Sequence, residues 1–185
     1  MRALFLGRFN PFHLGHLTAL ASIWKEQGVE EMIIAIGSCD KSYSMEHPFS
    51  AGERLLMIKR ALVENGYPLE KVHLITIPDS NNNSLWVAQV ENYAPPFEYV
   101  FSNNALIKIL FSAKGYVVKP INMTKRDEYN GTFIRKQIAS DRDVQNLLPR
   151  AVYDFIKEIN GFERIRELSK TLHGERYGLS ATKYE

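Results

Sequence analysis

Cysteine is nearly missing from this chain: Cys39 is the only one among 185 residues. One thiol excludes an internal disulfide and any Cys-x-x-Cys metal site. Long apolar runs are also missing, and none approaches the length needed to cross a bilayer. The opening residues read as a strand with no signal-peptide layout, so the expectation is an uncleaved cytoplasmic protein without a membrane partner. No charge sign dominates: 23 Lys and Arg face 21 Asp and Glu, a formal net charge of +2. That balance argues against a nucleic-acid partner and leaves anion binding to local arrangement. Both common Gly-rich phosphate motifs, GxxxxGK[ST] and GxGxxG, are absent. There is no internal repeat and no low-complexity tract.

What is present is an alternation. Short apolar runs at Ala3–Gly7, Met32–Gly37, Val72–Ile77, Tyr99–Ser102 and Tyr116–Val118 read as strands buried on both faces. Between them lie segments with helical punctuation. Ser50-Ala51-Gly52-Glu53 is a capping box opening a helix that Gly66 ends. Further helices are expected at Ser84–Tyr93 and Ala105–Ala113, then at Thr132–Ser140, Pro149–Ile159 and Phe162–Leu172. Right-handed crossovers turn the βαβ series into a doubly wound, Rossmann-like parallel sheet of about five strands. The fold class is therefore α/β with a helical C-terminal extension. Residues 1–172 read as the domain, with its C-terminal helices from about residue 132, and 173–185 as a flexible tail.

The chemistry concentrates in Gly7-Arg8-Phe9-Asn10-Pro11-Phe12-His13-Leu14-Gly15-His16, directly after the first strand. Leu17, Leu20, Ala21 and Trp24 follow at helical spacing, so the two histidines fall at or beside a helix N-terminus. Such a terminus favours an anion, and imidazole N–H groups add donors. Gly15 is expected to let a phosphate approach the backbone. The plainer alternatives are histidines acting as helix caps or as part of a metal site. Zinc needs further ligands, and no other His or Cys cluster supplies them.

This loop resembles the HxGH signature of the nucleotidyltransferase superfamily, and GRFNPFHLGH is similar to the archaeal-type nicotinamide-nucleotide adenylyltransferases. Pro48-Phe49-Ser50-Ala51-Gly52-Glu53-Arg54, Asn83-Ser84-Leu85-Trp86, Pro95-Pro96-Phe97 and Asn130-Gly131-Thr132-Phe133-Ile134-Arg135 fall in that family's order, as does Glu158 to Ile165. The resemblance implies transfer of AMP from ATP to nicotinamide mononucleotide (NMN), giving NAD and pyrophosphate without a covalent enzyme intermediate. It implies His13, His16, Arg8 and Arg135 as catalytic residues. ATP falls to Gly7, Phe9, Gly15, Ser102, Asn103, Gly131 and Thr132; NMN and NAD fall to Ser38, Asp79, Asn83 and Trp86. Magnesium or another divalent cation is expected with ATP, without a dedicated protein metal site. A homo-oligomer, hexameric by resemblance, is expected too.

Three positions depart from the family pattern. Glu46 stands where a basic residue is frequent, with Lys41 or His47 as possible substitutes. Asn103 replaces a common glycine, and Asn130 a frequent serine. Two rival readings remain: a related HxGH adenylyl- or cytidylyltransferase with another phosphate acceptor, and a non-catalytic nucleotide-binding regulator. Trp24 and His73 read as structural, and Cys39 has no adjacent base to activate it. His173 falls in the tail, and Arg126 in a mixed-charge run.

Overall fold

The computed structural model describes residues 1–121 and 129–172. The expectations for 173–185, His173 and Arg126 lie outside the described residues. Strand β1 (Arg2–Gly7) is the centre of a parallel sheet. The chain winds outward from it to β2 (Glu31–Ile36) and β3 (Val72–Thr76). It then returns past β1 to β4 (Tyr99–Phe101) and β5 (Val117–Lys119) on the other side. The order is thus β3-β2-β1-β4-β5, with every pairing parallel. Such a reversal opens a crevice at the carboxyl ends of the strands. The register shows where. β1 pairs with β2 as far as Gly7–Ile36, but with β4 only as far as Phe5–Phe101.

The helices are α1 (Leu14–Trp24), α2 (Ala51–Glu64), α3 (Asn83–Tyr93), α4 (Ala105–Ala113), α5 (Gly131–Ala139), α6 (Arg150–Glu158) and α7 (Gly161–Leu172). Alternation along the central strands feeds two cores. Phe5, Ile34 and Ile36 pack with Leu20, Ile58, Ile134, Phe155 and Ile165, so the C-terminal helices share the core of α1 and α2. Leu4, Ile33 and Ala35 pack with Val87, Val90 and Phe111 of α3 and α4. β3 and β5 depart from the expectation of burial on both faces. They are sheet edges, each with one neighbour, and their residues are half-buried or exposed.

The capping box at the start of α2 forms in both directions, Glu53 N–H to Ser50 Oγ at 3.2 Å and Ser50 N–H to Glu53 Oε2 at 2.8 Å. Glu53 also accepts two 2.8 Å bonds from the Arg164 guanidinium, which ties α7 to the first turn of α2. Among the described residues no helix is long and apolar enough to cross a membrane.

Candidate active site

The turn from β1 into α1 is shaped by Phe9. Its backbone is left-handed (φ 50°), and its buried ring lies beneath Gly7, where a Cβ would sit 2.7 Å from the ring. Only glycine permits that approach. His13 then becomes the N-cap of α1, with His16 inside the first turn. The His13 backbone N–H donates to His16 Nδ1 at 3.2 Å. That bond leaves the proton of a neutral His16 on Nε2. The two rings stack with centroids 3.6 Å apart, and His16 also meets Phe9 edge-on at 4.8 Å. Burial pulls the His13 pKa down to about 3. Burial, then the neighbouring His13, holds His16 well below its ordinary value. Both rings are neutral at pH 7.

Helix α5 brings the opposing wall. Asn130 caps it, its side chain accepting from Phe133 N–H at 2.7 Å. Arg135 Nη1 donates to the Asn10 carbonyl at 2.7 Å and Nη2 to Thr132 Oγ1 at 3.3 Å. Arg135 is 8% exposed, and its pKa is lowered to about 10, chiefly by burial and then by Arg8, with Glu46 opposing. It stays charged, and no described carboxylate is bonded to it. The walls formed by Arg8, Asn10, His13, His16, Thr132 and Arg135 enclose a cavity of about 280 Å³. Asn10 Nδ2 and His13 Nδ1 are buried here with no hydrogen-bond partner among the described residues. A site with two arginines, neutral imidazoles and an unmatched amide donor suits an anion with many acceptor oxygens. Glu46 contributes the opposite sign to the same wall.

A second cavity, about 470 Å³, opens at the carboxyl edge between β1, β2, β3 and β4. Arg8 belongs to both cavities. Ser38, Asp79, Asn83 and Trp86 all line the larger one. Trp86 also meets Phe111 edge-on at 5.7 Å, so the ring is at once core and cavity wall. Ser38 (φ 52°) donates its hydroxyl to Asp79 Oδ1 at 2.8 Å, and Lys41 pairs with Asp79 Oδ2 at 2.5 Å.

The structure places three of the residues assigned to ATP by resemblance as follows. Ser102 lines the larger cavity, as Trp86 does. Asn103 turns its amide to the chain beyond β5, donating to the Ile121 carbonyl at 2.7 Å and accepting from Ile121 N–H at 2.9 Å. It thus braces the loop that follows β4. Gly15 is buried, and a Cβ there would lie 2.6 Å from Tyr129 Cβ and 3.1 Å from His13 Nδ1. It serves close packing around His13 rather than an open backbone surface. Gly7 lines the larger cavity; Phe9, Gly131 and Thr132 line the smaller.

Other residues emerge only here. Arg54 is fully buried and donates to the carbonyls of Arg8, Gly37 and Ser38 at 2.8–2.9 Å, and to that of Ser50 at 3.3 Å. One guanidinium therefore clamps the ends of β1 and β2 that form the cavity rim. Its place in the Pro48–Arg54 block was the signal available in the sequence. Asn10 gave no such signal. Of the proposed substitutes for a basic residue at Glu46, Lys41 is paired with Asp79, and His47 is buried with its pKa lowered by burial and by Arg8. Trp24 is half-buried against Tyr67, and His73 Nε2 meets Glu31 at 2.9 Å, both structural roles. Cys39 is a free thiol.

A central strand that delivers two histidines to a helix N-terminus, opposite an arginine from a second helix, belongs to proteins of the nucleotidyltransferase class. The cytidylyltransferase-like family matches residues 4–137. This chain is 46% identical over 171 residues to the nicotinamide-nucleotide adenylyltransferase of Ignicoccus hospitalis, covering 92% of this chain and 99% of the relative. It is 45% identical over 172 residues to that of Archaeoglobus fulgidus, covering 91% and 98%. The chain belongs to the cytidylyltransferase-like family and, within it, to the nicotinamide-nucleotide adenylyltransferases, a family of enzymes.

Solved structures share its fold. A bifunctional NMN adenylyltransferase/ADP ribose pyrophosphatase from Francisella tularensis, complexed with AMP and a manganese ion, superposes with TM-score 0.72 at 20% identity. The match covers 93% of this chain and 52% of that one, so this chain spans about half of the bifunctional protein. The Plasmodium falciparum nicotinic acid mononucleotide adenylyltransferase superposes with TM-score 0.60 at 17% identity, covering 88% and 96%.

Proposed function

We propose that this protein transfers AMP from ATP to nicotinamide mononucleotide, giving NAD and pyrophosphate. The observation that carries this reading is Arg8 in the wall of both cavities, one suited to phosphates and one to a flat aromatic base. An oxygen of the NMN 5′-phosphate attacks the α-phosphorus of ATP in line. The new P–O bond forms as the bond from α-phosphorus to the bridging oxygen breaks, and pyrophosphate leaves with that electron pair. The attacking phosphate has a second pKa of about 6 and is already ionised at neutral pH, so no general base and no covalent enzyme intermediate are needed.

What remains is to bring anions together and stabilise charge in the transition state. Arg8 holds phosphate where the two substrates meet. His16 donates its Nε2 proton in a hydrogen bond, and Arg135 with the α5 N-terminus holds the β- and γ-phosphates. Trp86 stacks on the pyridinium ring, whose positive charge favours an aromatic face. Among the described residues no group of three His, Cys, Asp or Glu side chains is placed to hold a metal. A magnesium ion is expected to enter with ATP, since such ions keep mostly phosphate and water as ligands. When bound, that ion neutralises triphosphate charge.

The test is the purified protein with ATP, magnesium and NMN, following NAD and pyrophosphate. NAD formation is expected. Turnover only with another phosphate acceptor, or nucleotide binding without turnover, overturns the reading. Light scattering on the same sample reads the expected homo-oligomer.

A further inference from the structure

The larger cavity carries charge in two places only among its described wall residues: Arg8 at the junction with the phosphate cavity, and the Lys41–Asp79 pair. A mononucleotide whose 5′-phosphate lies at Arg8 must direct its base away from that junction, toward Trp86. The remaining charged wall is then Lys41 and Asp79. We propose that this pair reads the substituent on carbon 3 of the pyridine ring. Asp79 selects the carboxamide, and Lys41 makes the carboxylate acceptable. The inference rests on the adenylyl-transfer reading above and adds Lys41 to its specificity residues.

The two members are held unequally. Asp79 is anchored, accepting from the Ser38 hydroxyl at 2.8 Å while its own N–H donates to Asp40 Oδ1 at 3.0 Å. Lys41 and Ser38 keep its carboxyl ionised against the effect of burial. Lys41 sits on a loop with its side chain 51% exposed, so its ammonium has room to turn. Each Asp79 oxygen already accepts one bond and retains a lone pair for another. A carboxamide fits the intact pair: its NH₂ donates to Asp79 and its oxygen accepts from Lys41. A carboxylate has no donor for Asp79 and repels it. It requires Lys41 to turn from Asp79 toward the ligand. Losing the ammonium therefore harms the acid far more than the amide.

The experiment compares kcat/KM for nicotinamide and nicotinic acid mononucleotides in the unsubstituted protein, Lys41→Met, Lys41→Arg and Asp79→Asn. Binding of each mononucleotide is measured alongside by calorimetry without ATP. Lys41→Met is expected to lower use of the acid by roughly 10-fold or more relative to the amide, the scale of one charge-assisted hydrogen bond. Lys41→Arg should restore the acid, and Asp79→Asn should shift preference toward it. Equal losses for both substrates in Lys41→Met, or an unchanged ratio, overturn the proposal. If the unsubstituted protein forms no dinucleotide, the activity reading fails, and the calorimetric ratio still decides Lys41. Binding of neither mononucleotide overturns both.

Discussion

Arg135 Nη1 and the Asn10 carbonyl are hydrogen-bonded at 2.7 Å across a sequence separation of 125. Asn10 in turn accepts from Phe49 N–H at 3.3 Å through its side chain, so the loop after β1, the entry to α2 and the start of α5 meet at one residue. Together with the Nη2 bond to Thr132, the Asn10 bond holds the guanidinium by its edge, and the residue remains in the cavity wall. Arg135→Lys keeps the charge and loses the planar fork. We expect KM for ATP to rise roughly 10-fold, with a smaller change for NMN, as bidentate phosphate contacts are lost. Steady-state kinetics with each substrate varied separates the two. Equal effects on both would remove Arg135 from the triphosphate.

The neutral histidines fix a pH dependence. The His13 pKa lies near 3, and burial together with His13 holds His16 well below its ordinary value, so both rings are neutral in the free protein at pH 7. The profile of kcat/KM should therefore fall below about pH 6, where the NMN phosphate dianion takes up a proton and becomes the monoanion. His16→Ala should lower kcat by roughly 100-fold, as loss of a transition-state donor does, while the inflection stays in place. An inflection that moves with the substitution would make the histidine the titrating group.

The same depressed values act on stability. His13 binds a proton in the unfolded chain at its ordinary 6.5 but in the folded protein only near 3. Between those values the unfolded state holds more protons, so stability falls as pH falls from about 6.5 toward 3. His13→Gln should flatten that part of the slope, measured by urea denaturation at a series of pH values. An unchanged slope would assign the acid sensitivity elsewhere.

Gly15 carries a packing constraint. With Tyr129 Cβ at 2.6 Å and His13 Nδ1 at 3.1 Å from an added methyl, Gly15→Ala must displace one of them. We expect a loss of about 1–3 kcal/mol, the usual range for overpacking. Turnover should fall more than folding alone explains, since the stacked His13 moves with it. Thermal unfolding beside the activity of the folded fraction decides between a strained core and a displaced catalytic ring.

Glu46 faces the phosphate cavity beside Arg8 and Arg135. Exchanging its sign should strengthen anion binding. Glu46→Arg is expected to lower KM for ATP roughly 3- to 10-fold at low ionic strength, with the gain shrinking as salt screens the charge. A salt-independent effect, or none, would place the carboxylate outside the field of the triphosphate.

The sequence by itself determined the elements and the chemistry of the main loop. Strand and helix periods are local, so Ala3–Gly7 and the Ser50–Glu53 capping box are legible from neighbouring residues. The His13–His16 spacing likewise places both rings in the first turn of α1. Tertiary structure decided which groups meet. Arg54 stands in the Pro48–Arg54 block in sequence, but its partners, the carbonyls of Arg8, Gly37 and Ser38, are brought to it only by β1 and β2. Asn103 gains its bonds to Ile121 only when the chain returns through β5. Hydrogen-bond partners far apart in sequence are chosen by sheet order and register, and that choice is made when the whole chain packs. The loop pattern carried the reaction class. Packing turned its two histidines into neutral, stacked rings and set the Arg135 guanidinium, tied to Asn10 and Thr132, in the same cavity wall.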